Sequence, residues 1–142
     1  MLKVLILIDG SNNSVRSASH AMALSAMCRE PFDMHLLNVQ PAIVSGGIKR
    51  FIGREEVNKF HHDAGFAALA DARKLLDDAQ LKYTYHIGVG DIGDNVLRFI
   101  KDLGIEQLVM GARGLSPFEG LLLGSVATGV IQVSPIPVLV VK

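Results

Sequence analysis

The sequence predicts an α/β fold: one doubly wound, five-stranded parallel sheet with helices on both faces. Three observations carry this. Apolar runs of strand length alternate with segments of helical period, in the order β-α-β-α-β-α-β-α-β. Several strand runs are apolar at nearly every position, as in Val4-Leu5-Ile6-Leu7-Ile8 and Val138-Leu139-Val140-Val141. Such runs suit strands covered on both faces. Turn and cap residues stand where strand gives way to helix, as at Asp9-Gly10-Ser11, and right-handed crossovers then place successive strands parallel.

At 142 residues the chain is long enough for one domain with a substantial core. Apolar residues make up 49% and charged residues 20%, a globular rather than a disordered balance. A formal net charge of zero argues against a general nucleic-acid or membrane-surface role, since both draw on a basic excess. The single cysteine, Cys28, has no partner for an intramolecular disulfide, which fits a reducing compartment. The first apolar run is too short to span a membrane and no small-residue cleavage site follows it. These features predict a cytoplasmic protein.

Residues 2–8 form the first strand, ended by Asp9-Gly10-Ser11. Ser11 caps a helix that carries Val15, Ala18, Met22 and Ala26 at helical spacing and ends near Glu30, because Pro31 cannot continue it. Residues 33–39 form the second strand. A loop over residues 41–54 follows, long for a compact α/β domain. Its basic residues Lys49, Arg50 and Arg54 read as solvated surface. Residues 55–80 carry one long amphipathic helix with Val57, Phe60, Ala64, Ala68, Ala72, Leu75, Leu76 and Ala79 on a stripe. The adjacent His61 and His62 lack the i,i+4 spacing of a metal pair.

Residues 81–89 form the third strand, alternating around Tyr83 and Tyr85. Gly88, Gly90 and Gly93 formally match G-x-G-x-x-G, but they follow the third strand rather than the first, and Asp91 reads more simply as a helix cap. Val96, Phe99, Ile100 and Leu103 carry the next helix, which Gly104 closes. Residues 106–110 form the fourth strand, the last helix runs on to Val133, and residues 137–141 form the fifth strand.

The stretch from Val109 to Val126 holds the chemistry. The fourth strand runs into Gly111 and Gly114, and Gly124-Ser125 opens the last helix. Glycines let a ligand approach the backbone. A helix N-terminus presents free N–H groups and favours anions. Strand end, glycine turn and helix start together read as a cradle for phosphates. It is not G-x-x-x-x-G-K-S/T, because both the lysine and the spacing are missing. Arg113 is the only cationic side chain in this loop.

The spacing G-x2-G-x9-G-S/T, met by Gly111, Gly114, Gly124 and Ser125, resembles the nucleotide-binding signature of the universal stress protein family. Ile8-Asp9-Gly10-Ser11 is similar to the family's first strand and acidic turn, and the segment from Pro135 to Val141 to its last strand. The likeness covers nearly the whole chain. It implies a universal stress protein domain over residues 1–142, the adenine nucleotide alpha hydrolase-like fold and sheet order 3-2-1-4-5. In that order the first and fourth strands are neighbours at a switch point, where α/β sheets bind ligands. The resemblance further implies an ATP site, with Mg2+ accompanying the nucleotide. Asp9 would meet the ribose and adenine side and Val39 the adenine. Gly111, Gly114, Gly124, Ser125 and Val126 would hold the phosphates, with Met110 beside them and Arg113 adding charge.

The residues provide no His-Asp or Cys-His arrangement and no base to orient a water at this crevice, which argues against a turnover enzyme. The resemblance implies a nucleotide-dependent regulator of the stress response. Slow ATP hydrolysis stays open. So do two alternatives, a nucleotide-independent dimer acting through partner contacts and a related ATP-cleaving α/β enzyme. Val138–Val141 at a sheet edge invites pairing with a second copy. A homodimer through this strand is expected, with no nucleic acid and no membrane as partner.

Overall fold

The computed structural model describes residues 1–43, 53–115 and 123–142. Its elements are β1 (Lys3–Leu7), α1 (Asn12–Ala26), β2 (Asp33–Gln40), α2 (Arg54–Ala68), α3 (Ala70–Asp78), β3 (Tyr83–Val89), α4 (Ile92–Leu103), β4 (Gln107–Gly111), α5 (Ser125–Val133) and β5 (Val138–Val141). The five strands form one parallel sheet in the order β3-β2-β1-β4-β5, the order the sequence resemblance implied.

Alternate residues of each strand feed two cores. On one face Val4, Ile6, Ile8, Met34, Leu36 and Val109 pack against Ala18 and Ala21 of α1 and Ala72 and Leu76 of α3. On the other, Leu5, Leu7, Leu37, Leu108 and Met110 pack against Val96 and Ile100 of α4 and Ala127 and Val130 of α5. Both faces of β1 are therefore buried, which is why it reads as an unbroken apolar run.

The caps fall as the residue types dictate. Ser11 accepts from the Ser14 N–H at 3.2 Å and Asp91 from the Asp94 N–H at 2.9 Å. Gly104 closes α4 in the left-handed region at φ 68°.

Two boundaries differ from expectation. Helix α1 ends at Ala26 rather than near Glu30, because Met27 and Cys28 donate to the carbonyls of Leu24 and Ser25 and tighten the last turn. The Ser25 hydroxyl then accepts from the Phe32 N–H at 2.8 Å and turns the chain toward β2. The helix expected over residues 55–80 is two helices meeting at Leu69, which is fully buried. Leu69 still donates to Gly65 and accepts from Arg73. The apolar stripe therefore runs through the break, and its period gives no sign of it. Of the two adjacent histidines, His61 is buried and His62 exposed. Lys49 and Arg50 of the predicted loop lie outside the described residues, and Arg54 opens α2.

A polar pair ties β2 to β3 inside the sheet face covered by α4. His35 Nδ1 and His86 Nε2 are 3.0 Å apart with stacked rings, and Phe99 packs on His86. Asp33 Oδ1 lies 3.3 Å from His35 Nε2. One of the two facing ring nitrogens carries the proton of the bond between the rings, and the other accepts it. Burial first, and the neighbouring His35 second, lower the His86 pKa from its usual 6.5. The folded protein thus binds fewer protons at His86 than the unfolded chain does. This contribution is fully present above pH 6.5 and fades as pH falls through the lower folded value. Thermal melts are expected to show a falling Tm below that pH, and His86→Phe is expected to flatten the fall. A Tm that falls equally in both proteins would remove His86 as the cause.

Candidate functional site

A cavity of about 270 Å³ opens at the carboxyl ends of β1 and β4, where the strand order reverses. Its floor is apolar: Ile8, Leu37, Val39, Ile92, Met110 and Ala127 line it. Its rim is polar and built from Asp9, Asn38, Arg113, Gly114 and Ser125. All nine residues singled out in the sequence line this one space: Asp9, Val39, Met110, Gly111, Arg113, Gly114, Gly124, Ser125 and Val126.

Asp9 is fixed by its own turn. Its Oδ1 accepts from the Ser11 N–H at 2.9 Å, and its backbone N–H donates to Ser14 Oγ at 3.3 Å. Gly10 takes the left-handed turn that follows, at φ +88°. Asp9 Oδ2 then lies where a side chain on Gly114 would begin. Gly114 thus admits the Asp9 carboxylate by its missing side chain, not through its backbone angle. Among the described residues the left-handed glycines are Gly10, Gly90 and Gly104, and the three signature glycines are not among them.

Gly124 is the converse case. A Cβ there would make only ordinary contacts, 3.6 Å from the Ala112 carbonyl. Among the described residues no contact demands glycine at this position. Gly124, not Ser125, is the N-cap of α5, and Ser125 is its first residue. The Gly124 N–H donates to the Ala112 carbonyl at 2.7 Å, so its amide is not free for an anion. The amides of Ser125, Val126 and Ala127 lie in the first turn, where none has an intrahelical acceptor. Arg113 is exposed beside them. The polar end of the cavity therefore offers helix amides, a helix dipole and one guanidinium, a combination that stabilises an anion.

Three polar residues that no sequence motif marks hold the walls of the site. Asn13 accepts from the Arg113 N–H at 2.8 Å and donates to the Val141 carbonyl at 3.1 Å. Asn38 donates to the Ile8 carbonyl at 2.8 Å, fixing the end of β1 against β2, and accepts from Gln40 Nε2 at 2.6 Å. Ser14 is buried and donates to the Ser11 carbonyl at 2.9 Å. Gly88 and Gly93 of the G-x-G-x-x-G match are taken up by packing. Asn95 fills the space over Gly88, and Asp91, the α4 cap, lies 3.2 Å from a Cβ on Gly93.

The family description "Universal stress protein family" matches residues 1–142. The chain belongs to the universal stress protein family. It is 28% identical over 141 residues to universal stress protein MJ0531 of Methanocaldococcus jannaschii, covering 99% of this chain and 81% of that one. It is 29% identical to universal stress protein YxiE of Bacillus subtilis, covering 99% and 98%. The solved structure of MJ0577 superposes with a TM-score of 0.81 at 29% identity, covering 99% of this chain and 95% of that one. The same fold is found in a universal stress protein in complex with cAMP, with a TM-score of 0.68 at 24% identity. It recurs in an Arabidopsis thaliana member with AMP bound, at 0.67 and 20%, and in an Archaeoglobus fulgidus member with dAMP, at 0.67 and 17%. These three alignments cover 99% or more of this chain and 92% or more of the other. Among the described residues of this universal stress protein, no helix is long and apolar enough to cross a membrane.

Proposed function

We propose that this universal stress protein binds ATP in the cavity at the ends of β1 and β4 and acts as a nucleotide-dependent regulator of the stress response. The observation that carries the reading is Gly124. It is a residue without a side chain where the described residues leave room for a Cβ, next to the open amides of α5. The apolar floor around Val39, Ile92 and Met110 takes the base. Asp9 Oδ2 accepts from ribose hydroxyls. Gly114, Ser125 and Val126 face the phosphates, and Arg113 and the α5 dipole balance their charge. Mg2+ arrives with the triphosphate. That relatives of the same fold hold cAMP, AMP and dAMP supports an adenine nucleotide.

Asp9 and Arg113 are the only ionisable residues in the cavity lining among the described residues. Asp9 is already engaged by Ser11. That pair suits holding a nucleotide better than activating water, so the role is binding rather than turnover. Protein purified without added ligand, then denatured and its supernatant weighed by mass spectrometry, is expected to release an adenine nucleotide. Release of a flavin or of a non-adenine nucleotide would sink the reading.

Two further parts of the reading concern partners and place. Among the described residues strand β5 pairs only with β4 and stands at the edge of the sheet, with all four of its residues half-buried. We assign this edge to a homodimer made by β5 pairing with its copy. Sedimentation at micromolar concentration is expected to give a dimer, and Val140→Pro, which removes a ladder N–H, is expected to shift it to monomer. A wild-type monomer would refute the assignment. The lone, exposed Cys28 suits the reducing cytoplasm.

A further inference from the structure

The first glycine of the signature lies against a side chain rather than open space. A Cβ on Gly111 would fall 2.5 Å from Asn13 Oδ1 and 3.1 Å from the Arg113 carbonyl. The Asn13 amide occupies that place because it bridges two elements. Its Oδ1 accepts the Arg113 N–H, and its Nδ2 donates to the Val141 carbonyl. Val141 is the last residue of β5, and its carbonyl also receives the Ala112 N–H at 2.7 Å. Three hydrogen bonds thus lock the turn after β4 to the first turn of α1 and to the end of β5. Gly124 in turn donates to Ala112. The start of α5, with its open amides, is hung from the same turn.

We infer that Asn13 is a positioning residue that sets the height of the Gly111–Gly114 turn and the α5 N-terminus over the cavity, and that Gly111 is glycine to admit Asn13 rather than to admit ligand. The inference rests on the nucleotide reading for its functional consequence but not for its structural content. It also links the cavity to β5. The carbonyl that anchors the turn belongs to the strand whose free edge is available for pairing, so a shift of β5 moves the phosphate end of the site.

A double-mutant cycle tests this. Gly111→Ala alone forces Asn13 aside and is expected to weaken ATP binding about tenfold, and Asn13→Ala alone about fivefold, the scale of one or two lost hydrogen bonds. In Asn13→Ala/Gly111→Ala the added methyl enters vacated space, and the tightest contact left among the described residues is the 3.1 Å one with the Arg113 carbonyl, which must give by a few tenths of an ångström. The double variant is therefore expected to bind no worse than Asn13→Ala. Additive losses would assign Gly111 to the ligand and overturn the inference. So would wild-type affinity in Asn13→Ala. The same cycle is read in Tm without nucleotide, where the two changes are again expected to be non-additive. If the wild type binds no ATP, the nucleotide reading falls while the Tm cycle still decides the pairing of Asn13 with Gly111. Amide exchange in the wild type decides it again without any variant. The Arg113 N–H is expected to be protected, and exchange at the rate of an unstructured amide would contradict the bridge.

Discussion

Gly114→Ala is expected to weaken ATP binding about a hundredfold, close to 2.7 kcal/mol, while the protein stays folded. The added methyl coincides with Asp9 Oδ2. Either the carboxylate swings away, losing its bond to the Ser11 N–H, or the turn rises and takes Arg113 with it. Both outcomes damage the site, because one side of the cavity is Asp9 and the other is the turn. The fold is spared, since Gly114 is exposed and outside both cores. Calorimetric titration beside a thermal melt checks this. A variant that binds like the wild type would show that Asp9 and the turn are not the walls of the nucleotide site.

Leu36→Ala is expected to do the reverse. Leu36 is completely buried at the middle of β2, with Ile6 and Tyr85 beside it in the neighbouring strands. Its truncation leaves a cavity in the core beneath α1 and α3. Leu-to-Ala changes of this kind cost about 2–5 kcal/mol, which for a chain of this length lowers Tm by roughly 10 °C. Leu36 is not part of the cavity lining. The ATP affinity of the folded fraction is therefore expected to stay within about twofold of wild type, since uncoupled sites act independently. A large affinity loss at low temperature would mean that the core beneath the sheet controls the site.

The two variants separate what the sequence disclosed from what it hid. The strands β1 and β4 are legible because burial on both faces leaves little room for polar residues, and β5, though only half-buried, is apolar at every position. Edge strand β3 is exposed or half-buried at most positions, and only its aromatic alternation marked it. Leu69 hid the break between α2 and α3 because it sits on the same apolar stripe as its neighbours. At the site, the glycines and Asp9 stood out through fixed spacing within short segments. Asn13 did not. Its two partners are 100 and 128 residues away along the chain, and an asparagine near a helix start looks like any solvated polar residue. Ser125 was placed correctly at the start of α5, yet the cap itself is Gly124. Sequence marks where a helix begins more reliably than which residue closes its first turn.

The most direct test of the cradle is calorimetric titration of wild type and Gly124→Val with Mg-ATP, each paired with a thermal melt. A Cβ at residue 124 makes only ordinary contacts with the described residues, so the variant is expected to melt within about 3 °C of wild type, the span of roughly 1 kcal/mol. The wild type is expected to bind one nucleotide with a Kd on the order of 10 μM, and the valine, projecting into the cavity, to abolish that heat. Absence of wild-type binding at millimolar ATP, or unchanged binding in Gly124→Val, would contradict the account.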